Sequence, residues 1–136
     1  MAKMSDYLEV SLRTHIFRTG SFTKPTVLAI SLHTADPTDA GTGTEVTGGS
    51  YARVSRNPLD ANWSAASATD GLTDNVADLV FPAPTANWGI VTHFGIWDAA
   101  TAGNLLIHGA FTTAKTVNNG DAAPQILAGQ LDVTFA

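Results

Sequence analysis

Two densely apolar segments of the chain, residues 88–97 and 105–111, flank the loop 98–103 of Asp, Ala, Thr and Gly. In a strand successive side chains point to opposite faces of a sheet, which places Ile90, Thr92, Phe94 and Ile96 on one face and Val91, His93, Gly95 and Trp97 on the other. The two segments therefore predict an antiparallel hairpin at the centre of the core. In the register that this loop implies, Trp97 lies opposite Asn104 and His93 lies opposite His108. Such a pair could bind a metal or respond to pH, and the simpler alternative is two unrelated surface histidines.

Four further segments have the composition of strands, and turn residues bound them. Their ranges are 26–33, 45–54, 75–81 and 125–135. Pro58 is expected to end the second of these or to mark it as an edge strand. In the last, Leu131, Val133 and Phe135 are predicted to face inward. Six to seven short strands at this spacing predict a mainly all-β protein, an antiparallel β-sandwich or barrel with one N-terminal α-helix.

Residues 5–19 predict that helix. Ser5 is a suitable N-cap, and the apolar residues Leu8, Leu12 and Ile16 recur every four positions to form one stripe. A lone helix of this length is marginal in water, so the stripe has to pack against something. Two interpretations remain open: the helix covers one end of its own sheet, or it is an arm that packs on a neighbouring subunit.

Length and charge narrow the class of protein. A chain of 136 residues fits one core, so we expect an N-terminal arm and helix over 1–24 and a single β-sandwich domain over 25–136. Charged residues make up 14% of the chain, against about 25% in an ordinary soluble domain. This favours a surface that contacts neighbouring proteins, with a Thr-rich β-domain as the alternative. The few basic residues are scattered, which argues against direct nucleic-acid binding, and no apolar stretch is long enough to predict a membrane span.

Candidate chemistry is sparse. The chain has no cysteine, and its four histidines do not have the spacing of metal ligands. The glycine-rich stretch 41–49 lacks the Lys-Ser/Thr pair of a phosphate-binding loop. Asp36, Asp39 and Glu45 share one loop but depart from the calcium-binding pattern, which favours a solvated loop. We therefore predict a non-enzymatic protein with no cofactor and no metal.

Several short motifs together resemble one known family. They are residues 5–9, 32–41, 45–53, 81–82, 88–89, 92–99, 103–106 and 117–121. Across nearly the whole chain, these motifs resemble a family of small virion structural proteins of tailed bacteriophages, whose members are tail-fibre-like or capsid cement-like proteins.

The resemblance implies a component of the virion, assembled in the cytoplasm of the host bacterium. It implies a capsid cement or decoration protein that clamps adjacent subunits of the major capsid protein and that forms a homo-oligomer, a trimer. A tail, baseplate or tail-fibre-associated protein is the alternative. A second alternative is a β-sandwich that binds host glycans and uses tryptophans as stacking platforms.

The contacts of such a protein are expected on the helix and on exposed loops. The predicted interface residues are Tyr7, Leu8, Leu12, Ile16, Asp36 and Trp63. A modest patch of this kind, repeated many times in a particle, gives a large total binding energy.

Overall fold

A computed structural model describes residues 2–135 of the chain. Its elements are, in chain order, β1 (Lys3–Met4), α1 (Asp6–Phe17), β2 (Ala29–His33), β3 (Val54–Ser55), β4 (Leu79–Val80), β5 (Gly89–Trp97), β6 (Leu105–Val117) and β7 (Gln125–Ile126).

The strands form one larger and one smaller antiparallel sheet. The larger sheet has five strands in the order β1-β6-β5-β2-β3, and the smaller pairs β4 with β7. All five residues of β2 are buried, because β2 lies between β5 and β3 in the sheet and is covered on its faces. The prediction of a mainly β protein with an N-terminal helix is confirmed for the described residues.

The central hairpin is present, but the predicted register is wrong. Trp97 pairs with Leu105, Gly95 with His108 and His93 with Ala110. The side chain of Asp98 explains the first shift, since its Oδ1 accepts a bond from the Asn104 amide at 2.7 Å and so keeps Asn104 in the loop. A bulge after Ile96 adds the second shift.

The predicted pair of His93 and His108 is consequently not formed. The residue opposite His93 on the neighbouring strand β2 is His33. Among residues 2–135, no three or more His, Cys, Asp or Glu side chains are grouped as a metal would require.

Most of the predicted strand 45–54 is irregular. Gly48, Gly49 and Ser50 have φ angles of 73°, 55° and 63°, and three successive residues with positive φ cannot continue a strand. Only Val54–Ser55 remains extended in a ladder, as β3 at the edge of the larger sheet. The expected edge position before Pro58 is therefore confirmed.

The C-terminal segment is also shorter as a strand than predicted. Gly129 turns the chain with a φ of 71° after β7. Beyond that turn, Leu131 and Val133 are buried as predicted, and Val133 forms an isolated bridge with Thr73. Phe135 follows the last bridge and is 55% exposed, so the prediction that it faces inward is wrong.

A side chain replaces backbone pairing in this region. Buried Asn75 donates from Nδ2 to the carbonyl oxygen of Leu127, and its Oδ1 accepts from the amide of Leu131, both at 2.9 Å. A buried backbone group needs such a partner once the ladder has ended. Asn75 therefore holds the C-terminal segment against the body without a regular strand.

Candidate interaction surface

Ser5 fixes the start of α1 to the central sheet. Its Oγ accepts a hydrogen bond from the amide of Leu8 at 3.2 Å, which confirms the predicted N-cap. The same Oγ donates to the carbonyl oxygen of Leu105 at 2.5 Å, and the Ser5 amide donates to Leu106 at 2.9 Å. Ser5 is 1% exposed. The first turn of the helix is therefore attached to β6 as well as capped.

The loop between β2 and β3 provides a second attachment, through buried His108 of β6. His108 lies between two carboxylates, with Nδ1 3.2 Å from Asp36 Oδ1 and Nε2 2.9 Å from Asp39 Oδ1. The backbone oxygen of Asp39 accepts from the amide of Asp6 at 2.9 Å. Helix, loop and sheet are thus joined at one point.

Asp36 is stabilised in its charged form within this loop. The amide of Thr38 donates to Asp36 Oδ1 at 2.9 Å, and this bond, with a smaller contribution from nearby His108, lowers the pKa of the Asp36 carboxyl. The carboxylate that contacts His108 is therefore ionised over the neutral range.

The inner side of α1 packs on the chain's own body. Leu8 is 6% exposed within the core cluster, and Leu12 packs against that cluster. Of the two interpretations of the helix stripe, these two residues follow the first, in which the helix covers its own sheet. Ile16 continues the same stripe but is 66% exposed.

The opposite side of α1 is apolar as well. Tyr7, Val10 and Phe17 are 42%, 54% and 80% exposed, and their spacing of three and seven places them along one line of the helix surface. We call these three residues the outer face. A surface helix normally presents polar residues to water. The outer face is therefore an apolar surface that is mounted on a fixed helix and left uncovered by residues 2–135.

The remaining predicted interface residue, Trp63, lies elsewhere. Its Nε1 donates to the carbonyl oxygen of Arg56 at 3.2 Å, and its ring packs against the core. It borders an apolar groove of about 610 Å³ whose wall includes Leu59 and Phe135. The structure thus brings Tyr7, Leu8, Leu12 and Ile16 onto one helix, with Asp36 attached beside it, and separates Trp63 from them.

A polar cluster that the sequence did not predict holds the irregular segment 45–53 in place. Arg53 donates to both carboxylate oxygens of Glu45, from Nε at 2.8 Å and Nη2 at 2.7 Å, and its Cζ lies 4.0 Å from the ring centroid of Trp97. Its Nη1 donates to the carbonyl oxygens of Ala99 and Ala102 in the hairpin loop.

Glu45 and Tyr51 complete this polar cluster. The Tyr51 hydroxyl donates to Glu45 Oε1 at 2.9 Å and accepts from the amide of Leu32 at 3.0 Å. Burial alone would raise the pKa of Glu45, but the bond to Arg53 and its charge outweigh burial and lower it. Burial raises the pKa of Tyr51. The cluster therefore contains one ion pair and a neutral phenol, and it leaves no reactive group free.

Two members of the outer face, Val10 and Phe17, were not among the predicted interface residues. The signal for them was present, because Val10 and Phe17 are seven residues apart and share a helix line with Tyr7. The predicted interface residues on the helix are the stripe of Leu8, Leu12 and Ile16 together with Tyr7. The partners of His108 carried no sequence signal, since they lie about 70 residues away in a loop.

The fold and this surface define a small β-rich protein whose helix α1 presents an apolar face to solvent. Within the described residues, no helix has the length and apolar character needed to cross a membrane. A family model described as "Podophage GP4 fiber I protein gp80" matches residues 3–134, and the chain belongs to this family. The expected membership of a family of small virion structural proteins of tailed phages is thereby confirmed. A search of curated proteins found no match.

The family supports a structural role in the virion and contacts with other virion proteins. A structural family of this kind also favours a protein without catalytic activity.

Proposed function

We propose that the chain is a non-enzymatic structural subunit of the fibre apparatus of a tailed phage, and that the outer face of α1 attaches it to neighbouring virion proteins. The observation that carries this proposal is the outer face itself, an apolar surface on a helix that is fixed to the sheet through Ser5 and Leu8. The description of the family as a fibre protein supports the position in the particle.

The energetics suit repeated docking. Burying apolar surface contributes about 25 cal/mol per Å², so covering the exposed parts of Tyr7, Val10 and Phe17 contributes roughly a few kcal/mol per copy. That is weak for an isolated pair of proteins, but copies held in a symmetric particle bind with much higher total strength. The low charge of the chain, 14% of residues, reduces the cost of removing water from such contacts.

The capsid cement function that the resemblance implied is the second candidate, and it would use the same outer face against the major capsid protein. The two functions differ in where the chain lies on the particle: a cement protein is spread over the head, and a fibre protein lies on the tail. The glycan-binding alternative has less support. The tryptophans that could serve as stacking platforms are Trp63, Trp88 and Trp97. Trp88 and Trp97 are 5% and 9% exposed, and the half-buried ring of Trp63 packs against the core, so little open ring face is left for a sugar.

The decisive experiment labels the chain in purified phage particles with a specific antibody and images them by electron microscopy. We expect label at the tail fibres; label over the head would replace the fibre function with the cement function, and absence from particles would overturn both.

A second experiment tests the surface. Particles from phage carrying Phe17→Ser are expected to contain less of the chain, whereas the matched variant Ile90→Ser, at an apolar residue of β5 that is 56% exposed away from the helix, is expected to be incorporated normally. Normal incorporation of both variants would exclude the outer face from attachment.

A further inference from the structure

The outer face has the spacing of a helix-pairing seam. Its residues Tyr7, Val10 and Phe17 occupy three of the four positions 7, 10, 14 and 17, which follow one another at intervals of three, four and three residues, the a/d pattern by which two helices pack against each other. The fourth position is Thr14, which is half-buried and lies against Gly20 of the same chain. A helix that merely covers a sheet needs only its inner stripe. The second, outward stripe therefore indicates that α1 packs on another helix.

The charges of α1 differ between its two ends. Asp6 and Glu9 lie in the first turn and Arg18 is the C-cap, while Arg13 lies in the middle of the helix, 3.8 Å from Glu9. Each sign also opposes the sign of the helix dipole at its end. A partner helix that complements this pattern must run in the opposite direction and must carry the same apolar seam.

We propose that this partner is α1 of a second copy of the chain, bound antiparallel across a two-fold axis. In that arrangement Tyr7 of each helix meets Phe17 of the other at the two ends of the seam. The acidic first turn of each copy then lies beside the basic end of the other, and the two helix dipoles oppose each other favourably. A two-fold axis makes the contact self-complementary, because each patch meets its own copy.

Parallel helices would lack this complementarity. Asp6 and Glu9 would adjoin the same acids of the neighbour, and Arg13 and Arg18 would adjoin the same cations, which is unfavourable for exposed charges at close range. Helices aligned along a three-fold axis, as in a trimer assembled through α1, have the same defect. The charge pattern therefore favours a pair of copies at this surface.

The pair is expected to be weak in isolation. A helix of 12 residues is about 18 Å long, and three apolar side chains per copy cover less than the roughly 800 Å² per partner of a stable interface. We expect dissociation of the isolated dimer in the micromolar range or weaker. Inside a particle the neighbours hold the copies close together, which compensates for the low affinity.

Because the chain contains no cysteine, oxidative cross-linking can report the direction of the helices. Purified full-length Tyr7→Cys and Phe17→Cys variants are oxidised separately and as a mixture. We expect the mixture to give a disulfide-linked dimer that contains one copy of each variant, and each variant alone to give little. Cross-linking of each variant with itself would show parallel helices and overturn the proposal, and the absence of any cross-link would also overturn it.

Analytical ultracentrifugation of unmodified protein gives an independent measurement. We expect a concentration-dependent dimer that Val10→Ser weakens at least tenfold, while the matched Ile90→Ser does not, since Val10 and Ile90 are 54% and 56% exposed. A trimer, or equal behaviour of the two variants, would contradict antiparallel pairing.

This inference rests on the proposed function in using the same outer face, and the two can fail separately. A protein that stays monomeric in solution, yet loses incorporation into particles with Phe17→Ser, would overturn the pairing and leave the fibre attachment intact. A dimer that is absent from particles would overturn the proposed function and leave the pairing intact.

Discussion

The polar cluster around Arg53 and the outer face of α1 solve opposite problems. In the cluster the positive charge is buried and has partners on all sides: the Arg53 side chain is 7% exposed and contacts Glu45, Trp97 and two loop carbonyl oxygens. On the outer face, apolar side chains such as Phe17 have been left in water. The strongest polar interactions of the chain thus lie inside the fold, whereas the surface of α1 offers weaker, non-directional apolar contacts.

This contrast separates stability from assembly. A buried ion pair has a fixed geometry and loses much when one partner is removed, so it suits the attachment of an irregular segment such as 45–53. Apolar contact is less directional and roughly proportional to area, so it suits a surface that is covered only after the fold is complete. Changes in the cluster should therefore alter folding, and changes on the outer face should alter association.

The largest expected effect comes from Arg53→Ala. It leaves the Glu45 carboxylate, 23% exposed, without its partner and frees the hairpin loop carbonyl oxygens. We expect the free energy of unfolding to fall by about 3–5 kcal/mol, measured by urea denaturation. The matched variant is Arg13→Ala, whose pair with Glu9 is 3.8 Å long and whose side chain is 65% exposed; it should cost less than about 1 kcal/mol. Similar losses in the two variants would show that the cluster does not stabilise the fold.

The second prediction compares the two sides of α1. Leu8→Ala removes a side chain that is 6% exposed in the core and should lower the free energy of unfolding by about 2–4 kcal/mol, since it leaves a cavity. Val10→Ala, on the outer face and 54% exposed, should change it by less than about 0.5 kcal/mol. The measurement is thermal and urea unfolding of protein diluted well below the dissociation constant expected for the helix pair. A large loss for Val10→Ala under these conditions would mean that the outer face is covered within one chain.

Local patterns in the sequence predicted the elements whose structure depends on near neighbours. The helix cap at Ser5 and the hairpin over 88–111 follow from residue type and spacing over a few positions. The register of the hairpin did not, because one side-chain bond from Asp98 and one bulge shift it by two residues at His93, and a second irregularity between Val91 and His93 shifts it further. Period-two patterns locate strands, but they do not locate bulges.

The interaction surface could likewise be predicted from the sequence only in part. Tyr7 and Ile16 were predicted as interface residues and are exposed, yet their contacts with other proteins stay a prediction. Leu8 was placed in the same set because a stripe on a helix does not reveal which sheet it covers. The contact of His108 with Asp39 joins residues 69 positions apart, and pairing at that distance depends on the tertiary fold alone.

The smallest effect to be tested concerns His33, which lies beside the Arg53 cluster. His33 is fully buried, stacks on Trp97 with ring centroids 6.4 Å apart, and shares a hydrogen bond of 2.8 Å between its Nε2 and Ser31 Oγ. Burial lowers its pKa from 6.5 to about 4; Glu45 opposes this change, and Arg53 adds to it. Burial, with a smaller contribution from the charge of Arg53, therefore disfavours a positive charge on His33.

Because the folded pKa of His33 lies below the unfolded value, the unfolded chain binds the proton first as the pH falls. Stability is then lost as the pH decreases from about 6.5 toward 4, and at about pH 5 the loss from this group is roughly 2 kcal/mol. Urea denaturation at several values between about pH 7 and 5 measures this loss of stability. Most carboxylates titrate below this range and therefore contribute little to the slope. We expect His33→Gln to abolish most of this slope and His15→Gln, at an exposed histidine of the helix, to retain it. NMR titration of the unmodified protein supplies the check that does not depend on a variant. A His33 ring that takes up a proton above about pH 6 would show that the interior beside Arg53 accommodates a second charge. The cluster and the outer face would then differ only in how much apolar surface each exposes.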